Sequence, residues 1–355
     1  MATTTRPPQR AGDTAFAPRL IEWYRTSGRG LLPWRVNVSP YRVWISEIML
    51  QQTQVTTVIP YYERFLEQFP TVADLAAAQL DEVLHLWSGL GYYARARNLH
   101  RTAVEICQLY DGKFPADVAL LQELPGIGRS TAGAICAIAF GLQTPILDGN
   151  VKRVLTRFFK ISGWPGTSSV QKELWRLAAE QTPPVDCADY TQAIMDLGAT
   201  LCTRRAPNCS ECPLSADCQA LAADCVSTLP TPRKARTLPV KRAWFVVIRN
   251  LNGDVLLQKR PPSGLWGGLW CLPQIDREKA AIATASRELE MTLEQCDTGI
   301  EQRHSFTHYH LDYTPVYAMV TRVGKVLDAE TKWVDPKRPG VIGLPRPIDQ
   351  ILKKL

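Results

Sequence analysis

What this 355-residue sequence lacks narrows it before any motif does. No uninterrupted apolar run approaches the ~20 residues that cross a bilayer as a helix, so no membrane partner is expected. Residues Met1–Asp13 hold Thr, Pro and Arg but no apolar core. That excludes a secretory signal and predicts a disordered tail over 1–14. A strong charge field of one sign is also missing: 41 Lys and Arg stand against 34 Asp and Glu, a net +7. Such a balance suits a polyanionic partner without demanding one. Ten cysteines could signal disulfides, but their clustering argues for a reduced compartment and a metal centre. The length exceeds one typical core, so two domains or more are expected.

What is present centres on residues 124–153. Leu124-Pro125-Gly126-Ile127-Gly128-Arg129-Ser130-Thr131 opens this stretch, and Leu147-Asp148-Gly149-Asn150-Val151-Lys152-Arg153 closes it. Pro125 ends a preceding helix, while Gly126 and Gly128 let the backbone turn tightly against another molecule. The apolar run Ala132–Phe140 then starts a helix whose free N–H groups suit a phosphate. An ordinary helix–helix turn is the alternative. Asp148 precedes a helix over Asn150–Phe159 and is either simply its N-cap or a carboxylate held ionised by the helix end.

Glu47 lies in Val43-Trp44-Ile45-Ser46-Glu47-Ile48-Met49-Leu50, part of a helix expected over Tyr41–Gln52. This helix is apolar on nearly every face and should be buried. A desolvated carboxyl there keeps a proton near neutrality, unless it occupies a narrow solvated strip. Glu47 protonated and Asp148 ionised would be two acids with opposed roles.

Cys202, Cys209, Cys212 and Cys218 follow the spacing C-x6-C-x2-C-x5-C. Four thiols within seventeen residues argue for a metal. The spacing differs from paired-CxxC zinc ribbons, although a zinc knuckle stays open. Cys107, Cys136, Cys187, Cys225, Cys271 and Cys296 show no such spacing and are expected to be structural.

From Phe16 to about Leu221 the pattern is helical with short loops. Val226–Arg242 holds three prolines and five basic residues but no acid, and reads as a surface linker. Beyond it, strands over Trp244–Arg249 and Val255–Lys259 flank an Asn-Gly turn. A helix over Ala280–Glu290 and a strand over Leu311–Val320 follow.

The 124–153 stretch resembles the helix-hairpin-helix plus Gly/Pro-Asp signature of base-excision DNA glycosylases. With Ser46-Glu47-Ile48-Met49-Leu50-Gln51-Gln52-Thr53 and the cysteine spacing, it is similar to the MutY family of adenine glycosylases, closely over Tyr24–Cys218 and more loosely beyond. The resemblance implies a mostly α helix-hairpin-helix domain with an iron–sulfur loop over 15–225 and a linker over 226–241. It implies an α+β Nudix-like domain over 242–355. It implies a monofunctional enzyme that excises adenine mispaired with 8-oxoguanine from double-stranded DNA, working as a cytoplasmic, nucleoid-associated monomer with a [4Fe-4S] cluster on the four cysteines. Glu47 then matches the general acid and Asp148 the group that stabilises the sugar cation. Trp34, Arg35 and Ser130 match the base pocket, and Gln52 and Tyr92 match wedges that enter the opened duplex. Gln51, Thr53, Gly126, Gly128 and Lys152 match DNA contacts, and Phe306-Thr307-His308 resembles a Phe-Ser-His lesion reader; a plain alternating strand is the alternative.

Two absences refine the resemblance. Ser130 stands where the related endonuclease III family carries a lysine that attacks the sugar, and a serine forms no imine. Arg287-Glu288-Leu289-Glu290 is followed by Met291-Thr292, so the Glu-Glu pair of Nudix hydrolases is missing and this domain is expected to bind rather than hydrolyse. The rival readings are an endonuclease III-like lyase on oxidised pyrimidines and a non-catalytic iron–sulfur DNA-binding module.

Overall fold

The computed structural model describes residues 15–233, 237–276, 281–323 and 330–355. The tail expected over 1–14 lies outside the described residues. The described residues fall into two compact units: those within 1–67, 71–73 and 101–234 form the first, and those within 68–70, 74–100 and 235–355 the second.

The helices run α1 (Phe16–Ser27), α2 (Pro40–Leu50), α3 (Val55–Gln68), α4 (Val72–Ala77), α5 (Leu80–Leu86), α6 (Ala94–Tyr110), α7 (Val118–Glu123), α8 (Arg129–Phe140), α9 (Gly149–Phe158), α10 (Ser168–Gln181) and α11 (Cys187–Thr200). Local chemistry sets the start of α2. Ser39 caps α2, its hydroxyl accepting from the Arg42 N–H at 3.2 Å, with Pro40 at the first helical position. The helix stops at Leu50 rather than continuing to Gln52, because Gln52 takes a left-handed φ of 57° that no α-helix accommodates.

The core of the first unit is apolar side chains from α1, α9, α10 and α11. Phe16, Leu20, Val151, Leu155, Phe158, Leu177, Ile194 and Leu197 pack together, fully buried or nearly so. Each such side chain contributes about 1.5–3 kcal/mol by leaving water. The close passage of α9 over α11 depends on Gly198, where an added Cβ would lie 2.6 Å from that of Asn150. Cys202, Cys212 and Cys218 pack half-buried against this core, so the loop that carries them is anchored on it. The Pro-rich stretch after Cys225 begins fastened as well: Leu229 is buried and its carbonyl accepts from Arg157 Nε at 2.9 Å.

In the second unit β1 (Val240–Arg249), β2 (Val255–Lys259), β3 (Trp270–Cys271), β4 (Gln274–Ile275), β5 (Met291–Thr298), β6 (Gln302–Ser305), β7 (His310–Val323) and β8 (Thr331–Val334) form one mixed sheet. Its spine is β3-β2-β1-β7-β5, with β1 parallel to β7 and the other pairs antiparallel. Phe245–Ile248 of β1 are buried in succession, the mark of a central strand covered on both faces. Gly253 closes the β1–β2 turn at φ 88°, and the Asn250 side chain accepts from the Asn252 and Asp254 amides. A short helix α12 (Gln219–Ala222) closes the cysteine loop of the first unit, and α13 (Ala281–Glu288) packs Ala281 and Ala285 on the sheet. After α13 the chain enters β5 at Met291 through Glu290, itself at φ 51°. No further helical turn carries another acid there. α14 (Arg346–Leu352) ends the chain.

Candidate active site

A pocket of about 440 Å³ in the first unit gathers side chains from the α1–α2 loop and from α2, α8, α9 and α11. Of the residues expected from the sequence, Trp34, Arg35, Glu47, Gln51, Gln52, Thr53, Ser130 and Asp148 all line it. Tyr92, Gly126, Gly128, Lys152, Phe306–His308 and the four cysteines do not.

Glu47 projects from the otherwise buried α2. No hydrogen bond among the described residues reaches its carboxyl. Burial, then the charge of Asp148, pushes its pKa up to about 8, against a smaller pull from Arg35. Asp148 is the N-cap of α9: its Oδ1 accepts from the Val151 N–H at 2.7 Å and its Oδ2 from Asn150 Nδ2 at 3.3 Å. The capping role and the place in the pocket are therefore one geometry, not alternatives. The sequence leads to an Asp148 held low by the helix end. Instead burial outweighs those hydrogen bonds, and its carboxyl is raised as well. Two acids facing one pocket titrate as a pair, and the first charge goes to the partner with direct donors. That partner is Asp148.

Arg35 is fixed by Asp196, donating through Nη1 at 2.8 Å and Nη2 at 2.7 Å. Arg29 completes the network, its side chain reaching Asp196 Oδ1 at 2.6 Å and its amide Oδ2 at 2.9 Å. Asp196 is completely buried; burial opposes its charge, yet Arg35 and Arg29 together hold it below the ordinary carboxylate range. Arg29, Gln192 and Asp196 were not expected from the sequence. Asp196 was findable by the argument used for Glu47, since Ile194-Met195-Asp196-Leu197 also puts an acid in an apolar run. Trp34 is buried edge-on to Tyr62. Ser130 Oγ accepts from the Leu147 N–H at 3.0 Å, which ties the start of α8 to the residue before Asp148.

Before α8 the backbone makes the expected tight turn, with Gly126 at φ 79°, a region closed to most side chains. Gly126, Gly128 and Arg129 are exposed, and Lys152 is half-buried on α9. Gln52 and Tyr92 both have exposed side chains and both hold left-handed backbone, Tyr92 at φ 49°. Such strain persists only where the surrounding structure maintains it. Phe306-Thr307-His308 forms the turn between β6 and β7 rather than part of a strand, closed by Phe306 N–H to the Tyr309 carbonyl at 2.9 Å. Phe306 stacks on Tyr309, while Thr307 and His308 are exposed.

The four cysteines of the C-x6-C-x2-C-x5-C stretch line one small cavity together with Arg157, and none of the ten cysteines is in a disulfide. Arg157 is almost fully buried and donates to Cys202 Sγ at 3.3 Å and to the Thr203 carbonyl at 2.7 Å. Arg153, one turn earlier on α9, donates to the Cys202 carbonyl at 2.7 Å and to Asn150 Oδ1 at 2.8 Å. A chain of hydrogen bonds thus runs from Asp148 through Asn150 and Arg153 to the cysteine loop. Among the described residues no three His, Cys, Asp or Glu are drawn together as ligands of a single ion. Burial pushes the thiols of Cys212, to about 11, and Cys218 up. Four half-buried soft donors with the buried Arg157 cation beside them fit a metal–sulfur group, which is what would hold them as thiolates.

The helical unit, its Gly-rich turn and its paired acids define a helix-hairpin-helix base-excision protein. The family described as HhH-GPD superfamily base excision DNA repair protein matches residues 45–180, and the NUDIX domain family matches 243–354. The adenine DNA glycosylase of Buchnera aphidicola subsp. Acyrthosiphon pisum (strain APS) is 38% identical over 95% of this chain and 97% of its own length. The adenine DNA glycosylase of Homo sapiens is 39% identical over 75% of this chain and 58% of its own. Among solved structures, a thermostable thymine-DNA glycosylase superposes with a TM-score of 0.54 at 28% identity, covering 59% of this chain and 96% of that one. The chain belongs to the adenine DNA glycosylase family.

Proposed function

We propose that this chain removes adenine mispaired with 8-oxoguanine, and with guanine, from duplex DNA by hydrolysing the N-glycosidic bond. The observation that carries this reading is the pair Glu47 and Asp148 in one pocket, where burial and the charge of Asp148 push the Glu47 carboxyl up to about 8. The leaving base needs a proton and the departing sugar becomes an oxocarbenium-like cation. Glu47 gives its proton to the adenine ring as the bond breaks, and the adenine leaves neutral. Asp148, the acid with direct N–H donors, carries the negative charge that stabilises the sugar cation. Water then adds to the sugar and its proton passes to Glu47, which restores the starting state. Arg35, locked by Asp196, and Trp34 shape the adenine pocket. Ser130 brings no amine, so the product is an intact abasic strand.

A [4Fe-4S] cluster on Cys202, Cys209, Cys212 and Cys218 would supply a rigid cross-link of this loop. Arg153 and Arg157 hold that loop to α9, the helix that Asp148 caps. Gly126, Gly128 and Lys152 contact phosphates, Gln51, Gln52, Thr53 and Tyr92 act at the opened duplex, and Phe306-Thr307-His308 reads the lesion on the opposite strand. No described helix is long and apolar enough to cross a membrane. We infer a cytoplasmic, nucleoid-associated monomer.

The deciding experiment incubates the protein with duplexes carrying A:8-oxoguanine and thymine glycol, then treats with alkali. Adenine release with strand breakage only after alkali is the expected result. Nicking at thymine glycol before alkali would instead favour an endonuclease III-like lyase.

A further inference from the structure

The second unit brings residues 84–93 of the helical sequence onto residues 342–344 of the NUDIX region. Tyr93 is buried, and its hydroxyl donates to the Leu344 carbonyl at 3.0 Å while accepting from the Gly89 N–H at 3.3 Å. The Leu344 N–H donates to Ser88 Oγ at 3.3 Å, and His85 Nδ1 meets the Ile342 carbonyl at 3.1 Å. Between these anchors Gly343 presses so closely on α5 that an added Cβ would lie 2.7 Å from that of Leu84. The segment they fasten is the turn Gly89-Leu90-Gly91-Tyr92. Gly89, Gly91 and Tyr92 are all left-handed, and Tyr92 stands 43% exposed at its tip. Inside the turn, Trp87 Nε1 donates to the Gly91 carbonyl at 3.1 Å, and Arg95, lying near the Tyr92 and Trp87 rings, donates to the Leu90 and Gly91 carbonyls.

We propose that Tyr93 is a positioning residue that couples the lesion-reading region to the Tyr92 wedge, residues 342–344 holding the turn in its strained, duplex-opening shape. This rests on the reading of Tyr92 as a wedge and of the NUDIX region as the lesion reader. The physical case is one of cost. A non-glycine residue in left-handed conformation is unfavourable, so a turn with no outside restraint relaxes. Here the restraint comes from the backbone of the region that meets the lesion. A NUDIX region that tightens on 8-oxoguanine therefore stiffens the wedge through residues 342–344, and one that finds guanine does not.

Tyr93→Phe keeps the buried ring and removes both hydroxyl bonds; Ser88→Ala loosens the same junction from the other side. In the full-length protein, hydrogen exchange should quicken about tenfold in both 88–91 and 342–344 in each variant, the scale of one or two lost hydrogen bonds. The ratio of single-turnover rates on A:8-oxoguanine and A:G duplexes should fall about five- to tenfold in the same variants. Unchanged exchange in either segment overturns the tie. Equal slowing on both duplexes also overturns it, since that is all a merely structural tyrosine would cause. Faster exchange in both segments of a protein that releases no adenine would uphold the tie and sink the catalytic reading instead.

Discussion

Glu47 and Asp148 sit half-buried at a pocket wall where burial raises both carboxyls, whereas Thr307 and His308 stand in water at the tip of the β6–β7 turn. The same kinds of polar atom face opposite conditions in these two regions. In the pocket the low dielectric makes each charge costly and each proton position consequential. On the turn a hydrogen bond replaces one to water, so a single contact is worth only about 0.5–1.5 kcal/mol. On the proposed reading, chemistry is concentrated in a few residues of the first unit, and lesion reading is spread over many weak contacts in the second. Substitutions should cost orders of magnitude in the one place and single multiples in the other.

The sharpest way to break that contrast is Asp148→Asn. Asparagine caps a helix about as well as aspartate, so the fold should persist. Removing the charge that faces the sugar cation should cut single-turnover adenine release by at least about 10⁴-fold, with duplex affinity largely unchanged in a binding titration. Near wild-type turnover would remove Asp148 from the mechanism.

Glu47→Gln should slow the reaction by roughly 10²–10⁴-fold, the span for loss of a general acid. The pH profile checks the assignment independently. The acid works only while protonated, so the wild-type single-turnover rate should fall tenfold per pH unit above about 8, and at low pH it should fall again as Asp148 takes up a proton and loses its charge. In Glu47→Gln that alkaline limb should vanish; its survival would mean that another group titrates.

Arg157→Ala tests the junction between α9 and the cysteine loop. It leaves the buried Leu229 carbonyl and the half-buried Thr203 carbonyl without that donor. A loss of about 3 kcal/mol or more is expected, read as a lower melting temperature together with fewer iron and sulfide equivalents per chain in anaerobically purified protein. Full iron loading at unchanged stability would show that the loop holds itself.

The smallest effect belongs to the turn. Thr307→Ala removes one exposed hydroxyl and should change the preference for A:8-oxoguanine over A:G by no more than about tenfold. A loss of several hundredfold would mean that recognition is as concentrated in the second unit as chemistry is in the first.

Much of this molecule is decided locally, and local features are what a sequence displays. The helix starts, the Gly126–Gly128 turn, the Asn-Gly hairpin and the cysteine spacing follow from short-range sterics and capping, so each is readable within a few residues. Glu47 was readable because an acid in an apolar helix must be buried. The end of α2 at Leu50 was not, since nothing local to Gln51-Gln52 breaks a helix; the left-handed Gln52 arises where the chain turns toward α3. The balance at Asp148 also depended on tertiary structure, because capping is local while the burial that overrides it comes only with the folded pocket. Arg29–Asp196–Arg35 joins residues 161 or more positions apart, and no pattern of spacing encodes that pairing. The same holds for residues 74–100, helical in pattern like their neighbours yet packed in the second unit. Their apolar faces declare that they are buried, but which surface buries them depends on contacts across more than two hundred residues, and those exist only in the folded chain.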